Sequence, residues 1–270
     1  MKKVNTSDFA KQIRIESLKM VYSAKASHIG GALSMADILA VLYNEILSYD
    51  PANPNWSKRD RFLLSKGHAC VSLYATLALK GFFPMDVLDT YAQNGSLLLS
   101  HSSHKIPGVE ISAGSLGHVL SICCGLAYGA KIKNEPWRTF CLAGDGELNE
   151  GSMWEAIMFA SHHKLEKLIL IIDYNKIQAM GNTNDILNLE PLQLKFENFG
   201  WAVREINGHK IDELKNTFSQ LPFEKGKPSA IIAHTIKGKG VDFMEDSLAW
   251  HYKNPNEEQF LNALNQIKQQ

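Results

Sequence analysis

The sequence predicts an α/β fold: a doubly wound, mostly parallel sheet with helices on both faces. Two observations carry that expectation. From Thr139 to Thr235 the chain alternates short apolar strand patterns with amphipathic helix patterns, the signature of a parallel sheet built from crossover units. One strand, "LILIID" (168–173), has no polar residue before its end, which marks a strand buried on both faces.

The elements follow in order. Residues 6–26 carry Phe9, Ile13, Leu18, Val21 and Tyr22 roughly on one helical face. "SMADILAVLYNEIL" reads as an apolar helix opened by Ser34 and Asp37, a variant of the capping box. "DPANPNW" is a proline-rich loop, "RFLLS" (61–65) a short strand, and "CVSLYATLALKG" a helix ended by Gly81. From Gln93 to Gly117 the chain is rich in Gly, Ser and His and shows little periodicity. A loop that long inside a compact domain is uncommon unless it has a function. "LSICCGLAYGAKI" reads as a buried helix. "TFCLA" is then a strand, "SMWEAIMFASHHK" a helix, "EPLQLKFENFG" a helix and "WAVREI" a strand. "IDELKNTFSQL" is a helix, "SAIIAHT" a strand and "NEEQFLNALNQIK" a terminal amphipathic helix.

Composition bounds the function. The 270 residues are 45% hydrophobic and suit one domain, 1–270, with a sizeable core. Lysine plus arginine total 28, as do aspartate plus glutamate, so the basic excess of a nucleic-acid binder is missing. No apolar run follows the first lysines as in a signal peptide, and none approaches the roughly 18 residues of a membrane span. Cys70, Cys123, Cys124 and Cys141 form no C-x-x-C pair and sit in apolar surroundings. They read as reduced, buried thiols in a cytoplasmic protein, not as a zinc site.

The stretch "CLAGDGELNEGSMWEA" carries the chemistry. Asp145 lies just past the strand "TFCLA", and Asn175 just past "LILIID". The helix between the two strands makes them a parallel pair, about 4.8 Å apart if adjacent. Ligands in such sheets gather at the carboxyl ends of the strands. Asp145 and Asn175 therefore present oxygen atoms side by side at one rim. That suits a hard cation such as magnesium, which takes part of its octahedron from phosphates and water. Gly144 and Gly146 let the backbone approach a phosphate. Ser152 and Glu155 are expected to cap the next helix, whose positive end faces that anion. "GDGELN" lacks the third glycine of a dinucleotide fingerprint, and no P-loop is present.

GDG, then a helix, a buried strand and "DYN" about thirty residues on resembles the thiamine diphosphate motif of transketolases and 2-oxoacid dehydrogenases. Other segments narrow the resemblance to transketolases. They are "SHIGGALSMADILAVLY", "DRFLLSKGHA", "PGVEISAGSLGH" and "AHTIKGKGVDFMEDSLAWH". They cover nearly the whole chain in the family's order. The match is nearest to the small split form, whose diphosphate-binding half is a separate polypeptide.

The resemblance implies a thiamine diphosphate-binding fold and a set of site residues. Asp145, Asn175 and the carbonyl of Ile177 would bind magnesium, with calcium or manganese as substitutes. Gly144, Gly146 and His68 would contact the diphosphate. Gly114 and Leu116 would approach the rings through backbone. Glu150 would sit at the contact between subunits. His28, His68, His101 and His251 would surround the reactive carbon, His251 also touching the cofactor. Ketol transfer needs a donor hydroxyl deprotonated and an acceptor oxygen protonated, and histidine titrates where it can do both. His162, His163 and His209 read as ordinary helix and turn residues, and His104 and His234 stay open. Four positions depart from the family pattern: Ser27, Ile29, His118 and Val119. They lie near the cofactor and the donor channel.

In the family a second domain cradles the aminopyrimidine and supplies an activating Glu. No pattern for it follows here, so the expectation is one component of a two-plus-two heterotetramer with a C-terminal, pyrimidine-binding partner chain. It would act on small sugars, in the cytoplasm. Two other readings stand beside it: the alpha subunit of a 2-oxoacid dehydrogenase, and a non-catalytic assembly subunit.

Overall fold

In the computed structural model, residues 4–269 are described. Five strands form one all-parallel sheet: β1 (Arg61–Leu64), β2 (Thr139–Gly144), β3 (Leu168–Tyr174), β4 (Ala202–Asn207) and β5 (Ser229–His234). Their spatial order is β1-β2-β3-β5-β4. Every residue of β3 is buried, as its unbroken apolar pattern requires.

Ten helices flank the sheet among the described residues. They are α1 (Thr6–Ala24), α2 (Ile29–Ser34), α3 (Ala36–Val41), α4 (Cys70–Leu79) and α5 (Val119–Ile132). After them come α6 (Gly151–His162), α7 (Thr183–Ile186), α8 (Leu192–Asn198), α9 (Ile211–Ser219) and α10 (Glu257–Gln269). Successive strand residues point to opposite faces, and the core divides accordingly. Phe140, Leu142, Ile169, Ile171 and Ile231 pack under α1 to α4, α9 and α10. Cys141, Ala143, Leu168, Leu170, Ile172 and Ile232 pack under α5, α6 and α8. All four cysteines are buried free thiols. The doubly wound expectation holds.

Local details differ. Ser34 opens no helix. Its single hydroxyl proton goes to the Asp173 carboxylate at 2.6 Å, with the Gly31 carbonyl 3.0 Å away as the alternative acceptor. The helix instead starts earlier, at Ile29, breaks at Met35 and resumes, ending in a π-helical turn over Leu42–Ile46. A buried carboxylate is a stronger partner for the hydroxyl than a helix-end amide. Asp37 is no cap either. Both of its carboxylate oxygens accept from Arg14, one of them at 3.0 Å, and Oδ2 also meets His209 at 2.8 Å. Burial pushes the Asp37 carboxyl up, but Arg14 and His209 more than offset it, so the group lies below the usual carboxylate range.

Arg14 and Asp37 are 4% and 7% exposed. Removing one partner leaves the other charge buried and unpaired. Asp37→Ala is expected to cost about 3–5 kcal/mol, read as a lower urea midpoint at unchanged slope. A shift under ~1 kcal/mol would show that water compensates Arg14.

A candidate cofactor site at the carboxyl edge of the sheet

The ends of β2, β3 and β5 converge on one cavity of about 630 Å³. Gly144 of β2 pairs with Asp173 of β3, and Tyr174 of β3 with His234 of β5. The chain leaves β2 into Asp145 and β3 into Asn175, so both side chains emerge at the same rim. Asp145 Oδ1 accepts the amide hydrogen of Gly146 at 2.7 Å, and Oδ2 that of Lys176. The carboxylate thus ties the two strand exits together. Asn175 Oδ1 accepts from the Ile177 amide at 3.2 Å, while its Nδ2 donates to Asp173 at 3.1 Å.

One expectation about this rim is corrected. Between β2 and α6 lies a 3₁₀ turn, Gly146–Asn149, and Asp145 is its N-cap. Ser152 and Glu155 do not cap α6, which begins at Gly151 with no side-chain cap bond. The Ser152 hydroxyl donates instead to the Gly117 carbonyl at 2.8 Å, holding the loop that carries Gly114 and Leu116.

All twelve residues singled out from the sequence line this cavity. Asp145, Gly144, Gly146, Asn175 and Ile177 form one side, and Gly114, Leu116 and Glu150 another. The four histidines form the wall between. His28 lies 5.2 Å from His68, 6.1 Å from His101 and 5.1 Å from His251, centroid to centroid. His28 holds a left-handed backbone, φ 73°, rare for a residue with a Cβ and typical of strained functional positions. Its amide donates to the His251 carbonyl at 3.0 Å. Ser27, one of the departures, places its hydroxyl 3.0 Å from His28 Nδ1.

The electrostatics favour the neutral form of three of the four histidines. Burial, then the neighbouring His101 and Lys237 charges, lower His28. Burial and then Lys66 push His68 well below the ordinary imidazole range. Burial and then Lys237 hold His251 down to about 4. These three rings are neutral at pH 7. Lys237 Nζ lies 3.0 Å from His251 Nδ1. An ammonium there makes Nδ1 the acceptor, which leaves the ring proton on Nε2.

Two site lysines escaped the sequence reading. Lys66 is 2% exposed and donates to Asp173 and, at 2.6 Å, to the Gly31 carbonyl. Lys237, also 2% exposed, donates to the Ile177 carbonyl at 2.9 Å. Their signal was present inside "SKGHA" and "IKGKG", but a lysine beside a glycine reads as surface until the fold buries it. In the sequence Asp173 reads only as the end of a strand. It accepts from Lys66, Ser34, Asn175 and Thr235. Glu147 likewise fixes the Gly117 amide, at 2.9 Å. The open histidines fall outside: His104 pairs with Ser112 and His234 with Glu205. The His162 and His163 rings meet edge-on, and His163 also packs at a tilt against Phe159 and Tyr128.

The donor set fits a diphosphate held through a cation. Burial, and then the charge of Asp173, push the Asp145 carboxyl up to about 6 despite its two amide donors. A divalent ion bound there would supply positive charge to this carboxylate. Gly31 and Gly144 both face the Lys66 side chain, where a Cβ at either would lie in ordinary contact with it, at 3.7 Å.

Comparison with known proteins accords with this geometry. Residues 5–265 match the family model described as "Transketolase, thiamine diphosphate binding domain". The chain is 41% identical over 252 residues to one subunit of the apulose-4-phosphate transketolase of Phocaeicola vulgatus, covering 93% of this chain and 90% of that one. It is 42% identical to one subunit of the 6-deoxy-6-sulfo-D-fructose transketolase of a Clostridium strain, covering 97% and 95%. Among solved structures, the transketolase of Leishmania mexicana superposes with a TM-score of 0.92 at 31% identity, over 98% of this chain. This chain spans 41% of the length of that transketolase. The 2-oxoacid dehydrogenase alternative is not favoured. Sheet, site and relatives agree: the chain belongs to the transketolase family, as its thiamine diphosphate-binding domain.

Proposed function

We propose that this chain is the diphosphate-binding subunit of a split transketolase, moving a two-carbon ketol unit from a ketose to an aldose together with a pyrimidine-binding partner subunit. The observation that carries the reading is the meeting of the Asp145–Asn175 rim and four histidines in one cavity. Two relatives named as subunits have nearly this chain's length, which supports a partner. A two-plus-two assembly with Glu150 at the contact is the arrangement proposed; Glu150 is exposed here. The donor is proposed as a ketose with an anionic end, since those relatives are named for a phosphorylated and a sulfonated ketose. Among the described residues no helix is long and apolar enough to cross a membrane. Reduced buried thiols support a cytoplasmic location.

Each residue has a proposed role. Asp145, Asn175 and the Ile177 carbonyl would hold magnesium, leaving further positions for phosphate oxygens and water. Gly144, Gly146, His68, Lys66 and Lys237 would meet the diphosphate, and Gly114 and Leu116 the rings. When bound, thiamine diphosphate supplies the electron sink. The chain's own work is then proton transfer and positioning. His28 and His101 would face the donor hydroxyls, and the lowered His28 ring can accept a proton there. His251, with its proton on Nε2, would donate a hydrogen bond to the substrate oxygen from that N–H, and the proton a ring takes from the donor hydroxyl would return to the acceptor oxygen.

The test is to mix this chain with the partner and offer a ketose phosphate plus an aldose phosphate, or a 2-oxoacid. Ketol transfer supports the proposal; release of carbon dioxide from the oxoacid alone would overturn it. In the reconstituted enzyme, His101→Ala is expected to lower turnover on the order of 10²-fold or more, the scale of a positioned acid-base group. Cofactor affinity should change little. Lost affinity with normal turnover at saturation would place His101 on the diphosphate instead.

A further inference from the structure

His209 lies outside the cavity, in the turn between β4 and α9, yet both of its ring nitrogens are committed. Nδ1 meets Asp37 Oδ2 at 2.8 Å, and Nε2 accepts the backbone amide hydrogen of Ile236 at 2.8 Å. The amide can only donate. Nε2 is therefore the acceptor, and the ring proton sits on Nδ1, directed at Asp37. Asp37 is itself clamped by Arg14 of α1. A fixed, buried ion pair thus reaches through one imidazole to one peptide group.

That peptide group is placed where it matters. Ile236 immediately precedes Lys237, which reaches the Ile177 carbonyl and His251 inside the cavity. The segment after β5 turns through Gly238 and Gly240, both at positive φ, 80° and 97°, and its Lys237 carbonyl accepts the Asp246 amide hydrogen at 2.9 Å. Its backbone is pinned on either side of Ile236, by Thr235 donating to Tyr174 at 3.2 Å and by Gly238 donating to Gly30 at 2.9 Å. Between them the Ile236 and Lys237 carbonyls accept from Lys239 and Asp246, and His209 holds the Ile236 amide hydrogen.

We propose that His209 is a positioning residue: it transmits the Arg14–Asp37 pair to the Ile236 amide and so sets where Lys237 stands in the cavity. This rests on reading the cavity as the thiamine diphosphate site. Two near-isosteric variants separate its two contacts. His209→Asn can keep an N–H near Nδ1 for Asp37 but loses the acceptor at Nε2. His209→Gln can place an amide oxygen near Nε2 and loses the bond to Asp37.

Hydrogen exchange by mass spectrometry, on the full chain without cofactor, reads the loop directly. His209→Asn is expected to speed exchange of residues 235–240 about tenfold while peptides from β3 and α4 stay protected. In the enzyme reconstituted with its partner, calorimetric titration with thiamine diphosphate and magnesium should show affinity falling about tenfold, the lower end for an outer positioning contact. His209→Gln should bring both readouts back to within about threefold of the parent. Unchanged loop exchange in the Asn variant would overturn the proposal, as would equal affinity losses in the Asn and Gln variants. If the unmutated complex binds no thiamine diphosphate, the cofactor reading falls, and the exchange comparison still decides the positioning.

Discussion

Without its partner, this chain is expected to transfer no ketol unit between sugar phosphates, and adding the partner should restore the reaction. The cavity shows why. Its rim is open and partly apolar, with Met180 72% and Leu187 57% exposed. Asp145, Lys66 and Lys237 are themselves buried, at 3%, 2% and 2% exposed, but the part of a bound cofactor that stands out of the open mouth would face water, which screens its contacts. The acids lining the cavity among the described residues are Asp145, Glu147 and Glu150. Asp145 is the proposed metal ligand. Glu147 already accepts from Ser65, Gly117 and Gly144. Glu150 stands exposed at the rim as the proposed contact between subunits. In the proposed split arrangement, the carboxylate that the resemblance assigns to the aminopyrimidine would come from the partner. Assay of the isolated chain, then of the mixture, checks this. Robust transfer by the isolated chain would refute the split-enzyme proposal whatever the GDG motif binds.

Asp145→Ala should abolish magnesium-dependent cofactor binding in the reconstituted enzyme while the chain stays folded. Groups that merely orient a metal ligand are worth 10–100-fold in affinity. Loss of the carboxylate ligand itself should cost at least about 100-fold. The substitution also leaves the Gly146 and Lys176 amides without their acceptor, a penalty of about 1–3 kcal/mol each if water cannot reach them. Those amides lie beside the cavity, so most of that loss should be made up by water. Calorimetric titration with cofactor and magnesium measures the first effect and thermal melting the second. Unchanged affinity would sink the metal assignment.

These experiments test parts of the site that differ in how far the sequence revealed them. The GDG segment, "DYN" and the strands before them were readable because each is local. An apolar run of strand length ends, and a polar oxygen follows at once. The four histidines stood in segments whose resemblance to transketolases covers nearly the chain. Lys66, Lys237 and Asp173 were not readable in that way. Lys66 meets Asp173 across 107 positions of sequence, and Ser34 meets it across 139. His209 meets Asp37 across 172.

The sequence by itself determined the order of elements, the buried central strand and the residues that emerge at its rim, because side-chain periodicity is written along a single stretch of chain. Only the tertiary structure decided which polar group answers which. Ser34 and Asp37 looked like helix caps by spacing. Burial beside a carboxylate and an arginine gave each a stronger partner than a helix-end amide, and the choice among distant partners depends on which elements the packed core brings together.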